Sequence, residues 1–510
     1  MVENSTTYYR PEWTCGRYNA EKRAAILYNL IEGMAYYFED VSAMVIGQIL
    51  ECSRNSVIST DEVSKAINYP ENVVIEFFRS LKALSIITDG RPTKESIMKY
   101  RKAQSVWKKN KLQNEIQTTH DKLPFRKEDA ETAYLRRVGG VTQAMLELTY
   151  QCSEKCIHCY NIGATRNAQE VSHRTSLNKL TLNEYKHIID QLYDIGCFKI
   201  CLSGGDPFSS PYVWDIIKYL YEKGIAFDIY TNAQGLVGNV ERLVQYHPRL
   251  LSISLYADNA DDHDYITRLP GSWKRTVEVM NQLGDYSVPM DIKVCIMRTN
   301  IKSYQGVEEL AKKAGGKALY EACINDSIEG DKCVSKYLRL TPSEYEIILR
   351  DENIGLYVGP EVPEYGKQEH HPNKPLCEGG RAAVCIDPEG NVMPCSGFHL
   401  HFGNLKQSDI SEILKNSKEL QAWTNTTIAD TEECLTHDYC DYCILCPGNA
   451  FSEHGTWLKA SENSCYIAKL RHKVATSLQQ GIDPLNGKTV KECISELPEY
   501  KPAHLHRVID

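Results

Sequence analysis

The chain has 510 residues, a quarter of them charged, and a formal net charge of -9. This length accommodates about two to four domains, and neither charge sign gathers into a long block, which argues against nucleic acid as a partner. Residues 1–13 lack an apolar run, and no stretch of about 18 apolar residues follows. We therefore expect a cytoplasmic protein with no membrane partner, whose 19 cysteines are reduced.

Residues 1–92 predict a small domain in which short strands precede helices. Residues 23–50 indicate paired strands passing into a helix, Ser59 to Glu62 supply helix-capping residues, and residues 71–84 repeat apolar side chains at helical spacing. This order is typical of a winged-helix-like unit, which could bind DNA. Its helix at 71–82 has only two basic residues, so we favour a peptide surface where a partner adds a strand to an exposed edge.

Residues 93–137 are polar and charged without a sustained strand pattern. They predict a helical linker, and the basic stretch from Lys99 to Lys111 is interpreted as a solvated helix.

From residue 138 to 340, strand and helix patterns alternate. Helix candidates at 182–193, 213–222, 273–283 and 306–313 separate apolar strand candidates. The strand candidates lie at 144–148, 199–202, 226–231, 250–255, 292–297 and 318–323. This alternation predicts an α/β fold, a partial (β/α)6 barrel, in which functional residues collect at the C-terminal ends of the strands.

Three cysteines, Cys152, Cys156 and Cys159, follow the first strand candidate. Three thiolates from one short loop can hold three corners of a four-iron four-sulfur (4Fe-4S) cluster and leave one iron open to a small molecule. Zinc is the alternative, but structural zinc favours four ligands in two pairs, and no fourth ligand closes this loop.

Further polar and glycine residues follow the next three strand candidates. Ser203, Gly204, Gly205 and Asp206 follow the second strand, Asn232 ends the third and Ser254 ends the fourth. An open iron beside a Gly-Gly backbone suggests S-adenosylmethionine, which can chelate iron through its amino and carboxylate groups. The glycines would let the main chain approach this ligand, and Asp206 would accept a hydrogen bond from its ammonium. An ordinary turn is the alternative interpretation.

Residues 341–480 are loop-rich and contain eight cysteines, enough for two four-cysteine clusters of iron, or of zinc. They are Cys377, Cys385, Cys395, Cys434, Cys440, Cys443, Cys446 and Cys465. Residues 481–510 are interpreted as a C-terminal tail. Most other cysteines are expected to be buried small hydrophobes, with Cys323, at the end of the sixth strand candidate, as the expected exception.

The three-cysteine motif, Gly204-Gly205-Asp206 and Ser254 occur in an order that resembles the radical SAM superfamily. The resemblance implies that His158 lies against adenine, that Ser254 contacts ribose and that Arg268 binds the methionine carboxylate. Ser203 and Asn232 are expected beside the same cofactor, and Asp206 stands where the family usually has glutamate.

The C-terminal cysteines resemble the SPASM extension, which holds two auxiliary 4Fe-4S clusters. The spacing from Cys434 to Cys446 departs from the usual one and leaves the grouping of thiols open. Residues 1–92 are similar to the PqqD-like peptide-recognition domain of maturases that act on ribosomally made peptides.

Taken together, the resemblance implies an enzyme with S-adenosylmethionine and three 4Fe-4S clusters. It would bind a precursor peptide by its leader, take an electron from a donor such as flavodoxin or ferredoxin, and generate a 5′-deoxyadenosyl radical. The product would be a thioether or carbon-carbon crosslink. The alternatives are a sulfatase-type formylglycine maturase and a winged-helix regulator that senses through an iron-sulfur cluster.

Overall fold

The computed structural model describes residues 7–114, 129–161, 179–326, 335–354, 356–358 and 370–502. Within these ranges, no helix is both long enough and apolar enough to cross a membrane. The described strands form one large sheet and two small ones.

The N-terminal unit consists of two small sheets and three helices. Its elements are β1 (Thr7–Tyr9), β2 (Thr14–Asn19), β3 (Ala24–Asn29), β4 (Met34–Glu39), α1 (Asp40–Glu51), β5 (Val57–Ser59), α2 (Thr60–Ile67) and α3 (Glu71–Ala83). Strands β2, β3 and β4 form an antiparallel sheet, and β1 pairs with β5. The predicted strand pair is β3 and β4, and Ser59 caps α2 by accepting a hydrogen bond from the Glu62 N–H. Strand β2 was not predicted from the sequence.

Two helices, α4 (Lys94–Asn114) and α5 (Ala130–Val138), follow the N-terminal unit. The prediction of a helix is confirmed at α4, and the prediction that it is solvated holds for one face only, since Lys102, Val106 and Trp107 are exposed whereas Arg101 and Ser105 are buried. Arg101 is 1% exposed and donates hydrogen bonds to the carbonyl oxygens of Tyr286 and Val244. The Arg101 guanidinium faces the barrel, where it supplies donors to main-chain carbonyl oxygens.

Six parallel strands form the centre of the large sheet, as predicted. In spatial order β11-β10-β9-β8-β7-β6, they follow one another along the chain. The strands are β6 (Gln143–Glu147), β7 (Lys199–Ser203), β8 (Ala226–Thr231), β9 (Leu250–Ser254), β10 (Met290–Cys295) and β11 (Lys317–Glu321). The intervening helices are α6 (Leu182–Asp194), α7 (Val213–Lys223), α8 (Val240–Val244), α9 (Ala260–Thr267), α10 (Ser272–Asp285) and α11 (Val307–Lys313). Short helices α8 and α9 were not predicted.

The sheet continues past the six strands, which the sequence did not predict. Strand β12 pairs in parallel with β6, and β13 and β14 add two antiparallel strands. The C-terminal elements are α12 (Ser335–Leu338), α13 (Pro342–Ile348), β12 (Ala383–Ile386), β13 (Asn391–Met393), β14 (Gly403–Asn404), α14 (Ile410–Asn416), α15 (Lys418–Asn425), α16 (Pro447–His454), α17 (Glu462–Gln479) and α18 (Val490–Glu496). One hydrophobic core runs from the barrel into this region, and Ile494 of the predicted tail belongs to it.

Candidate functional site

The three-cysteine loop lies at the C-terminal edge of the parallel sheet and is anchored to the end of α9. The backbone N–H groups of Lys155 and Ile157 donate to the carbonyl oxygens of Thr267 and Ile266, each at 3.0 Å. Ile157 is buried and packs in a small cluster with Ile266. These contacts fix the loop between strand β6 and helix α9. The backbone that carries Cys152, Cys156 and Cys159 is therefore held in place by the protein itself.

The Gly204-Gly205-Asp206 segment contacts the chain that leads into the cysteine loop. The Gly205 N–H donates to the Thr149 oxygen at 2.7 Å, and the Asp206 N–H donates to the Gln151 oxygen at 2.9 Å. Gly204 has a φ of +127°, and a Cβ atom there would lie 2.2 Å from the Thr149 oxygen. A Cβ atom at Gly205 would lie 2.4 Å from the Gln151 oxygen. The two glycines are therefore required by contact with protein, before any ligand is considered.

Asp206 joins the ends of two neighbouring strands. Its Oδ2 accepts hydrogen bonds from the Thr231 hydroxyl at 2.6 Å and the Asn232 N–H at 2.8 Å. Its Oδ1 accepts one from the Phe208 N–H at 2.9 Å. Burial raises the pKa of this carboxyl, although these three donors oppose the shift. Its predicted bond to a ligand ammonium stays a prediction, since a carboxylate oxygen can accept more than one hydrogen bond.

Asn232 connects the third strand directly to the cysteine loop. Its Nδ2 donates to the Cys152 sulfur at 3.3 Å and to the Ser153 hydroxyl at 3.2 Å. A hydrogen bond to a thiolate sulfur tunes the potential of an iron-sulfur cluster. The sequence placed Asn232 beside the cofactor, and the structure brings it to the first thiol.

A group of aromatic rings borders the loop on the side of β9. His158 and Tyr256 meet edge to face with ring centroids 4.6 Å apart, and Tyr256 stacks on His263 at 5.5 Å. His263 is fully buried, and its Nδ1 accepts the Tyr256 N–H at 3.1 Å. The buried Nδ1 of His158 has no hydrogen-bond partner in the described part of the chain. A nucleobase beside His158 would supply one, so the rings fit the predicted adenine contact.

The remaining predicted cofactor residues lie at strand or helix ends. Ser203 ends β7 and accepts the Leu148 N–H at its carbonyl oxygen at 3.0 Å. Ser254 ends β9, and Arg268 follows α9 with a φ of +56°. Their roles toward S-adenosylmethionine stay predictions.

Glu154, inside the cysteine loop, was missed by the sequence analysis. It is 6% exposed, and the Cys156 thiol donates to its Oε2 at 3.4 Å. Burial raises the pKa of Glu154 to about 8. Motif spacing gave no signal for it, because spacing does not show which loop residues turn inward.

The C-terminal thiols separate into groups that the spacing left open. Cys434, Cys440, Cys443 and Cys465 line one cavity with His370. Cys446 lies only three residues after Cys443 but at the first turn of α16, away from this cavity. The segments that carry Cys377, Cys395 and Cys446 meet elsewhere, since a Cβ atom at Gly379 would lie 3.0 Å from the Pro394 oxygen and one at Gly448 would lie 2.7 Å from the Gly397 oxygen.

One predicted ligand differs from the rest in its surroundings. Ten of the eleven cysteines predicted to bind metal are partly or fully exposed, whereas Cys385 is buried, with 0% exposure. Among the described residues, no three His, Cys, Asp or Glu side chains are close enough to hold a single metal ion.

Comparisons with known proteins identify two domains. The model of the radical SAM superfamily matches residues 146–314, and the SPASM model, an iron-sulfur cluster-binding domain, matches residues 377–447. An AdoMet-dependent heme synthase of Methanosarcina barkeri is 27% identical over 349 residues, covering 63% of this chain and 95% of the relative. The antilisterial bacteriocin subtilosin biosynthesis protein AlbA of Bacillus subtilis is 24% identical over 315 residues, covering 60% and 66%.

Among solved structures, Streptococcus suis SuiB bound to its precursor peptide SuiA has a similar fold. The likeness has a TM-score of 0.51 at 14% identity and covers 90% of this chain and 99% of SuiB. The part of this chain outside the likeness is shorter than the N-terminal unit, residues 7–88. The shared fold therefore includes part of that unit.

Proposed function

This chain carries a radical SAM domain followed by a SPASM domain, and on that premise we propose that it is a maturase that crosslinks a ribosomally made precursor peptide. It is an enzyme that binds S-adenosylmethionine and a 4Fe-4S cluster in the first domain and auxiliary iron-sulfur clusters in the second. The bond formed would be a thioether or a carbon-carbon link.

The residues present fit these cofactors. Cys152, Cys156 and Cys159 would hold the first cluster, with Asn232 donating to the Cys152 sulfur. When bound, the cluster and S-adenosylmethionine supply a 5′-deoxyadenosyl radical. The protein's own part is to fix the loop through Gly205 and Asp206, to border the nucleobase with His158 and Tyr256, and to bring a peptide residue to the strand ends.

The observation that carries the proposal is an N-terminal sheet with an edge that can receive a peptide. Among the described strands, β4 pairs with β3 and with no strand on its other side. Phe38 of β4 meets Phe77 of α3 edge to face at 5.9 Å, and Val73, one turn earlier on α3, is 44% exposed. An edge strand beside an apolar helix face offers main-chain hydrogen bonds and a side-chain pocket to an extended peptide.

AlbA and SuiB agree with a peptide substrate. AlbA is named for the biosynthesis of a bacteriocin, and SuiB was solved with a precursor peptide bound. A second candidate is heme synthesis, because the heme synthase of M. barkeri is 27% identical to this chain. That match covers 63% of the chain, whereas the likeness to SuiB covers 90% and extends into the N-terminal unit. The N-terminal unit therefore favours the peptide.

The test uses the full chain with reconstituted clusters, dithionite, S-adenosylmethionine and the peptide encoded by the short reading frame next to its gene. We expect release of 5′-deoxyadenosine and a peptide that has lost two hydrogens per crosslink, located by tandem mass spectrometry. A variant with Cys152, Cys156 and Cys159 all changed to alanine should produce neither. An unaltered peptide together with conversion of a porphyrin precursor would contradict the proposal and support heme synthesis. Conversion of Cys or Ser to formylglycine would support the sulfatase-type alternative.

A further inference from the structure

The two auxiliary sites differ in how many thiols the described structure brings together. Cys434, Cys440, Cys443 and Cys465 line one cavity and make a complete set of four. Cys377, Cys395 and Cys446 belong to three segments that meet at the other site, because a Cβ atom at Gly379 would lie 3.0 Å from the Pro394 oxygen and one at Gly448 would lie 2.7 Å from the Gly397 oxygen. A closed 4Fe-4S cluster takes four protein ligands, so the second set lacks one.

Cys385 is the fourth ligand suggested by the sequence, and its surroundings do not suit that role. It lies in β12, paired with Met145 of β6 on one side and Met393 of β13 on the other. Cys201 of β7 is in register with Met145, so Cys385 belongs to the central part of the sheet. Its partner Met393 lies two residues before Cys395, but Cys385 is 0% exposed. An iron atom bound to sulfur needs space beside that sulfur, and close packing leaves none here.

Cys323 does have such space, and it shares that space with Cys446. It follows the C-terminal end of β11 and is partly exposed. Both cysteines line a cavity of about 230 Å³. The cavity is also lined by Asn449 and by Arg471, which is buried. A buried guanidinium near thiolates offsets part of the negative charge that a cluster and its ligands bring.

The Cys323 sulfur also receives two amide hydrogen bonds. Asn463 Nδ2 donates to it at 3.1 Å and Asn449 Nδ2 at 3.5 Å. Both asparagines are buried, at 4% and 8% exposure. A neutral thiol in a hydrophobic core needs no such donors, whereas a thiolate bound to iron is stabilised by N–H groups directed at its sulfur. Asn449 lies three residues after Cys446 on α16, which ties the two thiols to one local structure.

We propose that Cys323 is the fourth thiolate of the auxiliary cluster held by Cys377, Cys395 and Cys446, and that Cys385 is a core residue of β12. The inference rests on the SPASM domain and not on the identity of the substrate. It assigns a metal ligand from outside the matched residues 377–447.

The test compares Cys323→Ala with Cys385→Ala in the reconstituted full chain. With three four-iron clusters, the wild type binds about 12 irons, and Cys323→Ala should bind about eight or show an altered electron paramagnetic resonance (EPR) signal of the reduced cluster. Cys385→Ala should match the wild type in iron, sulfide and EPR signal, and Cys377→Ala is the positive control for cluster loss. Loss of iron in Cys385→Ala together with an unchanged Cys323→Ala would overturn the proposal.

A second measurement avoids variants that fail to fold. The wild type is alkylated anaerobically with clusters present, and again with a second reagent after iron has been removed by a chelator under native conditions. Cys323 should react only in the second step, as should Cys377. Alkylation of Cys323 with clusters present, or protection of Cys385 that iron removal relieves, would contradict the assignment. Neither experiment uses the peptide or S-adenosylmethionine, so a failure here leaves the proposed peptide chemistry unaffected.

Discussion

His263 is a buried side chain that supports the rings of Tyr256 and His158, which border the cysteine loop. Its Nδ1 accepts the Tyr256 N–H, and its ring stacks on the Tyr256 ring that meets His158. The nearby charged or titratable groups are Asp264, which favours protonation, and His158, which opposes it. Burial outweighs both and lowers the pKa of His263 to about 4. The histidine is therefore neutral at neutral pH and must gain a proton when the protein unfolds in mild acid.

His263→Asn should reduce the pH dependence of stability between pH 6.5 and 4. In the unfolded wild type His263 binds a proton with a pKa near 6.5, whereas in the folded protein it does so only near 4. The contribution of His263 to the free energy of unfolding is therefore full above pH 6.5 and is lost as the pH falls toward 4. This one group accounts for about 3 kcal/mol of that decline. Asparagine keeps an acceptor for the Tyr256 N–H but does not titrate there. Urea unfolding of the cluster-free protein at several pH values measures the difference.

The control for this prediction is His187→Asn. The His187 side chain is 68% exposed, so its replacement should leave the slope of unfolding free energy against pH as in the wild type. Equal slopes for the wild type and His263→Asn would contradict the prediction.

Gly204 and Gly205 illustrate what the sequence could and could not predict at the scale of residues. Their position after the second strand was predictable, because parallel strand ends meet at one edge of the sheet. The reason why glycine is required at these positions was not predictable, because the contact of Gly204 with the Thr149 oxygen joins residues more than fifty positions apart. The hydrogen bond from Asn232 to the Cys152 sulfur was not predictable either, because it depends on the order of strands in the sheet.

At the scale of elements, the outer edge of β4 is where the proposed function can be tested most directly. The Asp40 N–H donates to the Arg23 oxygen at 2.8 Å, and hydrogen-bonded pairs alternate along an antiparallel ladder. The N–H groups of Ala35 and Tyr37 therefore face away from β3. Those outward groups are the ones that an added peptide strand would use.

Ala35→Pro should weaken binding of the precursor peptide without breaking the β3–β4 ladder. Proline removes an outward N–H and blocks a strand from pairing at that position. We expect at least a tenfold higher dissociation constant, measured by fluorescence anisotropy of a labelled leader peptide, and an unchanged rate of 5′-deoxyadenosine release in the absence of peptide. Ala35→Gly keeps the N–H and should bind as the wild type does. Equal binding by the proline and glycine variants would show that the peptide docks elsewhere.

The elements that the sequence predicted best are those whose pattern is local. The six parallel strands and the four predicted barrel helices, α6, α7, α10 and α11, begin and end within two residues of the predictions, because apolar runs and helical spacing can be read within one segment. Strands β12, β13 and β14 were missed because short strands at a sheet edge have little pattern of their own. The grouping of thiols was left open by the sequence, since the start of α16 separates Cys446 from Cys443 despite their closeness in sequence.

For the molecule as a whole, α4 connects the N-terminal unit to the barrel. Lys108 donates to the Ile31 oxygen in the turn between β3 and β4, and Ser105 donates to the Gly284 oxygen at the end of α10. Arg101 reaches the Tyr286 and Val244 oxygens and contacts His247 Nδ1 at 2.6 Å. A segment expected to be a linker is thus packed against both units, which would hold the edge of β4, the proposed peptide-binding edge, at a fixed position relative to the strand ends.

Arg101→Met should weaken this connection. The substitution keeps apolar volume but leaves the Tyr286 oxygen without its side-chain donor, while the Val244 oxygen still accepts the His247 N–H, and the orphaned oxygen costs about 1–3 kcal/mol. We expect a lower melting temperature of the cluster-free protein and a lower yield of crosslinked peptide per 5′-deoxyadenosine, because a displaced N-terminal unit presents the peptide less accurately to the radical. Lys102→Met, an exposed neighbour on the same helix, is the matched control. If both variants lower the yield of crosslinked peptide equally, the loss of a positive charge on α4 causes the decrease. That result would contradict the explanation by a fixed position of the two units.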